Sequence, residues 1–321
     1  MRAAYAATQS GDDPLAGLTV GDLEVPDAPA DFRRVRVVAS CLNHHDLWSL
    51  KGVGLPADRL PMVLGCDAAG IDDDGNEVIV HGVVPSPDWR GDETLDPRRS
   101  LLSERYPGTM ADYVWVPARN LVPKPVELSF EEAACLPTAW LTAYRMLFTV
   151  SPASPGSTVL VQGAGGGVAT ALIALAAAAG FRVWATSRSE DKRGRALELG
   201  AEQAFDAGAR LPERVDVVFD SVGEATWAHS LKSLVPGGTV VTCGATSGPA
   251  PSADLNRVFF LQLRVLGSTM GTREELERLT RFLVATGVRP VIDTVLPLDD
   301  AAQGFRRMLD GDVFGKIVFR H

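Results

Sequence analysis

The amino-acid sequence predicts an α/β protein in which a doubly wound parallel sheet is joined to a second region made mainly of antiparallel strands. From residue 158 to residue 269, short apolar runs alternate with helix-like stretches, which is typical of a parallel sheet with helices on both faces. Residues 1–125 instead carry short strands between Pro, Gly and Asp turns, which indicates a compact, mainly antiparallel β domain. The strands expected there are 34–40, 77–83 and 111–116.

The other predicted elements can be arranged around the stretch 158–189. An apolar run, 159–161, is followed by the glycine-rich turn 163–169 and by an Ala- and Leu-rich segment that ends at Gly180. We expect a buried strand, a tight turn and a helix packed closely on the sheet, because small residues allow close approach and glycine favours a helix end. A second strand, 181–186, follows directly.

Strand, glycine turn, helix and strand form the βαβ unit that binds a dinucleotide. Small residues let the backbone approach a pyrophosphate, and free N–H groups at the helix start stabilise its charge. The motif here is the small-residue variant Ala164-x-Gly166-x-x-Ala169, and the alternative is a tight strand-to-helix connection that binds nothing. The residues predicted to bind the cofactor at this turn are Ala164, Gly165, Gly166, Gly167 and Val168.

The end of the second strand indicates the type of cofactor. An Asp or Glu at this place accepts hydrogen bonds from the ribose of NAD and repels a 2′-phosphate. The sequence instead has Ser187 and Arg188 there, with Lys192 and Arg193 just beyond. Hydroxyl, guanidinium and ammonium groups suit a phosphate, so NADP(H) is favoured; the alternative is that these charges form a solvated helix start.

Composition and charge exclude several kinds of partner. The net charge is −9 and no basic run is long, so we expect neither a nucleic acid nor an anionic membrane as a partner. The N-terminal residues lack the apolar core of a signal peptide, and the longest apolar helix candidate, 169–179, is too short to span a bilayer, so a cytoplasmic location is expected. The four cysteines, at 41, 66, 135 and 243, lack metal-binding or disulfide spacing and are expected to be reduced.

The other elements follow the same alternation. Ser129 and Glu132 predict a capping box at a helix start. The remaining predicted helices are 138–148, 192–199, 227–234, 274–286 and 299–309, and the remaining strands are 215–219, 238–243, 265–269, 291–296 and 316–319.

Several segments in this order make the whole chain resemble the medium-chain dehydrogenase/reductase superfamily, in particular its zinc-free, quinone oxidoreductase-like branch. The segments are LNHHDLW at 42–48, LPMVLGCDAAG at 60–70, GTMADYV at 108–114, AACLP at 133–137, LTAY at 141–144, the glycine turn, DSVG at 220–223, PGG at 236–238 and GKIV at 315–318. The resemblance implies a Rossmann dinucleotide-binding domain at 126–268. It also implies a GroES-like β domain built from both chain ends, 1–125 and 269–321.

The resemblance also bears on metal binding. Zinc-dependent relatives hold a catalytic ion with a Cys, a His and a second Cys, and the corresponding positions here are Asn43, Cys66 and Thr138. Only Cys66 is a good ligand, so no metal site is expected. The alternative is an improvised site of His44, His45, Cys66 and Asp67, which is disfavoured because adjacent histidines of an extended segment point to opposite faces. The loop 85–107 has no cysteine, so the lobe that binds structural zinc in relatives is also missing.

Without a metal, the resemblance implies an oxidoreductase that transfers hydride from NADPH to a quinone or an α,β-unsaturated carbonyl, acceptors that need little activation. Three residues are catalytic candidates: Asn43 as a donor to the oxyanion or a contact of the nicotinamide, His45 as a proton carrier near neutral pH, and Trp48 where relatives have Tyr or His. Each has a structural alternative, namely turn capping, a structural histidine and packing. The alternative functions are a zinc-dependent alcohol dehydrogenase with an atypical site and a cofactor-binding protein with little catalysis.

Further contacts and an oligomer are implied by the resemblance. The counterpart of Thr142 faces the nicotinamide in relatives, although an intrahelical hydrogen bond is the alternative role. Relatives also pair their dinucleotide-binding sheets edge to edge, and the apolar stretch 259–270 predicts such an edge, so we expect a homodimer. The other residues expected at the cofactor are Val222 in the DSVG segment and Gly244, Ala245 and Thr246 after the fourth strand.

Overall fold

The computed structural model of the protein describes residues 1–24 and 28–321. The chain forms two compact units: a β-rich unit, Met1–Leu141 with Met270–His321, and a parallel-sheet unit, Thr142–Thr269. The sequence placed the first boundary earlier, between 125 and 126. The difference arises because the helix Phe130–Ala134 packs against strands of the β-rich unit.

The strands and helices are numbered in chain order. The strands are β1 Arg2–Ala6, β2 Leu18–Asp22, β3 Phe32–Cys41, β4 Met62–Val63, β5 Asp67–Asp72, β6 Glu77–Val80, β7 Val83–Val84, β8 Ser100–Leu101, β9 Tyr113–Pro117, β10 Leu121–Pro123, β11 Thr158–Val161, β12 Arg182–Thr186, β13 Gln203–Phe205, β14 Val215–Asp220, β15 Leu234–Thr242, β16 Arg264–Gly267, β17 Ile292–Pro297 and β18 Lys316–Arg320. The α-helices are α1 His44–Leu50, α2 Phe130–Ala134, α3 Leu141–Arg145, α4 Gly167–Ala178, α5 Glu190–Glu198, α6 Glu224–Ser233, α7 Leu255–Phe260, α8 Arg273–Thr286 and α9 Ala301–Asp310.

The main sheet of the β-rich unit combines both chain ends. Its strand order is β10-β6-β5-β3-β18-β17, and β9 also pairs with β3. The C-terminal strand β18 runs antiparallel to β3, with Val318 opposite Cys41, while β5 pairs with β3 so that Asp67 is opposite the same Cys41. This register confirms the predicted two-ended β domain. It also places Asp67, the first residue of β5, and Val318, the third residue of β18, on either side of Cys41 at the end of β3.

One predicted strand of this unit is divided. The sequence predicted a continuous strand over 77–83, but β6 ends at Val80 and β7 forms a separate ladder with β8. The break comes at His81 and Gly82: His81 donates its backbone N–H to Asn120, and a Cβ at Gly82 would lie 2.7 Å from the Cys66 carbonyl oxygen. The loop 85–107 contains β8, and β8 pairs with β7, so the loop is joined to the β-rich unit by a short ladder.

The parallel-sheet unit has the predicted architecture. Its six strands run parallel in the order β13-β12-β11-β14-β15-β16, with the βαβ unit at the centre of the sheet. Leu160, Trp184, Val218 and Val240 form a buried cluster on the sheet. Helix α4 is buried from Ala169 to Ala176, as expected for a helix of mostly small, apolar residues packed on a sheet.

Two boundary regions complete the fold. The capping box of Ser129 and Glu132 at the start of α2 is confirmed, since the Ser129 hydroxyl accepts from the Glu132 N–H and the Glu132 carboxylate accepts from the Ser129 N–H. The predicted helix 138–148 is also confirmed as part of a longer helical segment, in which α3 is flanked by π-helical turns at Leu136–Trp140 and Met146–Val150. Among the described residues, no helix is long and apolar enough to cross a bilayer.

Candidate cofactor and active site

The glycine turn after β11 has a backbone that only glycine adopts easily. Gly163 and Gly165 have φ values of +73° and +135°, a region that L-residues with side chains avoid. A Cβ at Gly163 would lie 2.7 Å from the side chain of Val222, and one at Gly165 would lie 2.8 Å from that of Lys192. Val222 and Lys192, which the sequence assigned to the cofactor, therefore pack directly on the turn.

Helix α4 starts at this turn without a side-chain cap. Gly166 is its N-cap residue, and a Cβ built there would meet nothing within 4 Å. The N–H groups of Gly167 and Val168 lie in the first turn of a helix, where no intrahelical partner is available. Ala164 is fixed by a bond from its N–H to the Thr186 carbonyl oxygen, 2.7 Å. Open space next to uncapped N–H groups fits the pyrophosphate of a dinucleotide.

The segment after β12 presents the predicted cations. Arg188 is exposed, and Lys192 lies over the turn, with its Nζ 3.3 Å from the position of a Cβ at Gly165. Ser187 is buried, and its hydroxyl accepts from the Ser189 N–H. Arg193 has a structural role, since it binds the Ser187 carbonyl oxygen and Asp206. Of the three predicted cations, Arg188 and Lys192 therefore stay predicted contacts of a phosphate.

Two loops at the carboxyl ends of β14 and β15 meet beside the turn. Asp220 accepts from the Val222 N–H, and Ser247 donates to the Val222 carbonyl oxygen, which ties the loop after β14 to the one containing Gly244 and Ala245. The Thr246 hydroxyl donates to the Ser221 carbonyl oxygen, 3.4 Å. The carboxyl ends of parallel strands are where such sheets bind ligands, and these residues stay predicted cofactor contacts.

Thr142 begins the parallel-sheet unit and is almost completely buried, with 6% of its surface exposed. No hydrogen bond joins its hydroxyl to another described residue. The alternative intrahelical role is therefore not supported, and Thr142 stays a predicted cofactor contact.

A buried polar network occupies the start of β5 and β18 in the β-rich unit. Asn43 donates from Nδ2 to Asp67 Oδ2, 2.8 Å, and more weakly to the Cys41 carbonyl oxygen, 3.4 Å. Thr138 donates its hydroxyl hydrogen to Asp67 Oδ1. Lys316 donates from Nζ to Asn43 Oδ1 and to the Leu42 carbonyl oxygen, and its Nζ lies 3.7 Å from Asp67 Oδ2. All these hydrogen bonds join the four side chains to one another or to the carbonyl oxygens of Cys41 and Leu42.

The charges of this network are those of an ion pair. Both carboxylate oxygens of Asp67 act as acceptors, and the Lys316 ammonium lies near one of them, which suits an ionised carboxylate. Burial raises the pKa of Asp67 above its usual value, while the Lys316 ammonium opposes that shift. Burial alone would lower the pKa of Lys316, but Cys41 and Asp67 raise it, so the pKa lies above its usual value.

The structure does not support Asn43 as a hydrogen-bond donor to a ligand. Both amide hydrogens already have acceptors, and only 6% of the residue is exposed. Its backbone N–H donates to Asp46 at the start of α1, so the capping role, the alternative for this residue, is the one observed. Sequence reasoning gave no signal for this, because the partners Asp67 and Lys316 come from distant segments.

The expectation about the adjacent histidines was wrong. His44 and His45 lie in the first turn of helix α1, not in an extended segment, so they do not point to opposite faces. His45 Nε2 is 3.1 Å from Glu104 Oε1, and its Nδ1 is 3.4 Å from Cys66 Sγ and 4.0 Å from Asp46 Oδ1. The sequence did not single out Glu104, which lies in the loop 85–107.

These contacts set the protonation of His45. Burial alone would lower the pKa of His45, but Cys66, Asp46 and Glu104 together hold it well above its usual value. Burial also raises the pKa of the Cys66 thiol, while His45 opposes that shift, and Cys66 Sγ lies 3.2 Å from the Leu102 carbonyl oxygen. The two ring nitrogens of His45 thus face carboxylates, Nε2 that of Glu104 and Nδ1 that of Asp46. With 14% of its side chain exposed, His45 can deliver a proton to a ligand and be reprotonated from solvent.

The residues at the zinc positions of relatives do not fit a metal ion. Asn43 and Thr138 bind Asp67 and offer no free donor set, which leaves Cys66. Within the described part of the chain, one other group has suitable atoms: His45, Asp46 and Cys66, whose ligand atoms lie within 4.8 Å of one another. Asp46 already accepts from the N–H groups of Asn43 and Gly65, so a metal would have to replace existing hydrogen bonds.

Trp48, the third catalytic candidate, lies on the same helix one turn beyond His44. Its ring centroid is 6.5 Å from that of His44, at a tilt of 54°. The residue is half-buried, which is compatible with both predicted roles, a substrate contact or a packing residue.

The presence in one chain of a six-stranded parallel sheet with a glycine turn and of a GroES-like β unit defines an alcohol dehydrogenase-type oxidoreductase fold. Comparison with protein families agrees: the description "Alcohol dehydrogenase GroES-like domain" matches residues 30–126, and "Zinc-binding dehydrogenase" matches residues 167–285. The chain belongs to the medium-chain dehydrogenase/reductase superfamily.

Individual relatives include reductases of conjugated substrates. The chain is 33% identical to a 2-methylene-furan-3-one reductase of Solanum lycopersicum, over 92% of this chain and 74% of the relative. It is 28% identical to a crotonyl-CoA carboxylase/reductase of Cereibacter sphaeroides, over 89% of this chain and 79% of the relative.

Solved structures show the same fold. A crystal structure titled as an NAD-dependent alcohol dehydrogenase superposes with a TM-score of 0.91 at 36% identity, covering all of both chains. A 2-octenoyl-CoA carboxylase reductase in complex with NADP and 2-octenoyl-CoA superposes with a TM-score of 0.90 at 25% identity, covering 99% of this chain and 87% of the other.

Proposed function

We propose that this protein is an NADPH-dependent reductase of α,β-unsaturated carbonyl compounds or quinones that works without a catalytic metal ion. The observation that carries the proposal is the cationic glycine turn, where Lys192 packs on Gly165 and Arg188 is exposed next to it. The turn and the uncapped start of α4 accommodate a pyrophosphate, and the two cations accommodate an additional phosphate.

The cofactor preference rests on charge. The carboxylate that would bind the two ribose hydroxyls of NAD is missing after β12, where Ser187 and Arg188 stand. The similarity to an NAD-dependent alcohol dehydrogenase supports the opposite preference, whereas the similarity to a reductase crystallised with NADP supports this one. We give more weight to the residues of this chain, because a guanidinium beside the ribose favours a 2′-phosphate directly.

The acceptor class follows from the chemistry available. Saturated ketones and alcohols need a strong electrophile at oxygen, whereas a conjugated acceptor spreads the developing negative charge over its own π system. Reductases of a furanone and of unsaturated acyl-CoA esters among the relatives support the same class.

The roles of the protein's residues are binding, orientation and proton transfer. NADPH, when bound, supplies the hydride. The glycine turn with Gly166, Gly167 and Val168 holds its pyrophosphate. His45, protonated and held by Glu104, donates the proton that completes the reduction. Trp48, half-buried on the same helix, contacts the acceptor.

The proposal is tested by following the absorbance of NADPH at about 340 nm. NADPH is supplied with an enone, a 1,4-quinone or a saturated ketone, and NADP⁺ is supplied with a primary alcohol. Turnover of the enone or the quinone with NADPH, well above that of the saturated ketone, supports the proposal. Tight NADPH binding without turnover of any acceptor would instead indicate a cofactor-binding protein with little catalysis.

A substitution of Arg188 tests the argument that positive charge selects NADPH. Arg188→Ala should weaken NADPH binding by about 10-fold, the loss of one charge-assisted hydrogen bond to the 2′-phosphate, and leave NADH binding unchanged. Arg210→Ala, an exposed arginine in the same unit, is the matched control and should change neither. Equal losses for both cofactors, or none, would contradict the assignment of Arg188.

A zinc-dependent alcohol dehydrogenase with an atypical site is the second candidate. The observation in its favour is the cluster of His45, Asp46 and Cys66, in which Glu104 would orient the His45 ring as an outer hydrogen-bond partner. Alcohol oxidation that is lost on chelation and abolished by Cys66→Ser would establish it. The existing bonds of Asp46 and Cys66 make this candidate the weaker one.

A further inference from the structure

Two of the three residues that correspond to zinc ligands of relatives belong to a network that contains a buried ammonium. Asn43 and Thr138, at two of those positions, both donate to Asp67, and Lys316 donates to Asn43. Asn43 thus contacts both the Asp67 carboxylate and the Lys316 ammonium, and Thr138 contacts the carboxylate. The third position, Cys66, turns away from them toward His45 and the Leu102 carbonyl oxygen.

The sheet register explains why the ammonium lies there. Cys41 pairs with Asp67 on one side and with Val318 on the other, so Lys316, two residues before Val318, lies just beyond the end of β3. Asn43 follows β3 by two residues and caps α1. The side chain of Lys316 is 3% exposed and that of Asp67 is fully buried, so the pair is shielded from solvent.

A fixed positive charge at this place opposes a second cation. The interaction between like charges is strong where water is excluded, and Lys316 has its acceptors, the Leu42 carbonyl oxygen and Asn43, already in reach. The carboxylate that would attract a metal ion is neutralised by the ammonium. The residue types at the three positions are therefore one obstacle to metal binding, and the Lys316 ammonium is a second.

We propose that the buried ammonium of Lys316, with Asp67 as its counter-ion, takes the place of the catalytic metal ion of related dehydrogenases and excludes a divalent cation from it. The inference extends the metal-free part of the proposed function, but its test measures metal binding and stability and does not depend on which substrate is reduced.

The first experiment restores the ligands with and without the ammonium. The triple variant Asn43→Cys, Cys66→His, Thr138→Cys and the same variant with Lys316→Met are titrated with Co²⁺, whose tetrahedral thiolate complexes absorb strongly in the visible region. We expect at least a 100-fold tighter Co²⁺ binding by the quadruple variant, with the wild type and Lys316→Met alone as controls. Equal binding by the triple and quadruple variants, or no binding by a folded quadruple variant, would overturn the proposal.

The second experiment keeps the proposal testable if the quadruple variant does not fold. Lys316→Met and Asp67→Asn are measured singly and together by urea denaturation. Each single variant leaves one buried charge unpaired, so each should lower the midpoint markedly, whereas the double variant removes both charges and should lose less than the sum. Additive losses would show that the two groups do not act as a pair and would contradict the proposal.

Discussion

His45 is the side chain on which the proposed proton transfer depends. We expect His45→Gln to lower kcat for enone reduction by about 100-fold, within the usual range for the loss of a general acid, and to leave the NADPH dissociation constant unchanged. The measurement is steady-state kinetics together with NADPH binding by fluorescence.

His44→Gln is the matched control, because His44 lies on the same helix but is exposed and has no carboxylate at hydrogen-bond distance among the described residues. Equal effects of the two substitutions would show that the helix is perturbed and would remove the argument for His45 as proton donor. Glu104→Gln, which keeps the shape but removes the charge next to His45, should reproduce part of the His45→Gln effect.

His81 makes stability depend on pH. It is buried and donates from Nε2 to the Gly271 carbonyl oxygen, and burial lowers its pKa from 6.5 to about 4. Between these values the unfolded chain binds the proton and the folded chain does not. The contribution of His81 is therefore fully present above pH 6.5 and is lost as pH falls from 6.5 to 4, by up to about 3 kcal/mol.

Urea denaturation of wild type and His81→Gln between these pH values measures the effect. The variant keeps a donor for Gly271 and should show a shallower loss of stability on acidification. Parallel curves for the two proteins would show that His81 is not the group that titrates.

The residues of the candidate site were only partly predictable. The glycine turn and its cations are local in sequence, and the structure brings Val222 and Lys192 onto the turn as expected. Lys316 and Glu104 were missed because their importance depends on contacts with residues 273 and 59 positions away. Spacing within a single segment carries no information about such contacts.

Helix α9 packs on β18 through a glycine. A Cβ at Gly304 would lie 2.9 Å from the ring of Phe319 and 3.1 Å from Ile317, both fully buried. We expect Gly304→Val to destabilise the protein by about 2 kcal/mol or more, because the extra atoms must displace packed side chains. Thermal or urea unfolding measures the change.

Gly194 provides the comparison. It also lies within a helix, α5, but a Cβ built there meets nothing within 4 Å. Gly194→Val should change stability by less than about 0.5 kcal/mol, since it adds no clash and only a small change in helix propensity. A similar loss for both variants would mean that helix propensity, not the contact with β18, determines the effect.

Elements with strong periodicity were predicted well, and the exceptions have physical reasons. The apolar strands β11, β12, β14, β15 and β16 were predicted, whereas the three-residue strand β13 and the short helix α7 were not. Helix α1 was missed because it is short and polar at its start, and what fixes it is the capping contact between Asn43 and Asp46. The strand expected to reach residue 83 ends at Val80 because His81 and Gly82 contact distant segments.

The exposed edge of the parallel sheet predicts that two copies of the chain associate. Strand β16 lies at the end of the sheet, and Phe259 and Phe260 in the preceding helix α7 are 67% and 80% exposed. Exposed aromatic side chains beside an unpaired edge strand are typical of an interface, and we propose that a second copy of the chain covers them.

Light scattering after size exclusion tests this. We expect a dimer for the wild type and a shift to monomer for Phe260→Asp, which puts a charge into the interface. Val126→Asp is the matched control, since Val126 is 88% exposed in the β-rich unit and should leave the dimer intact. A monomeric wild type would contradict the proposed assembly.

The central claim is that the chain reduces a conjugated acceptor with NADPH and without a bound metal ion. The most direct measurement is the metal content of the purified, active protein by mass spectrometry, taken together with its NADPH-dependent enone reductase activity before and after chelation. We predict far less than one transition-metal ion per chain and an activity that chelation does not change. One ion per chain, removed by the chelator together with the activity and restored by zinc, would contradict the account.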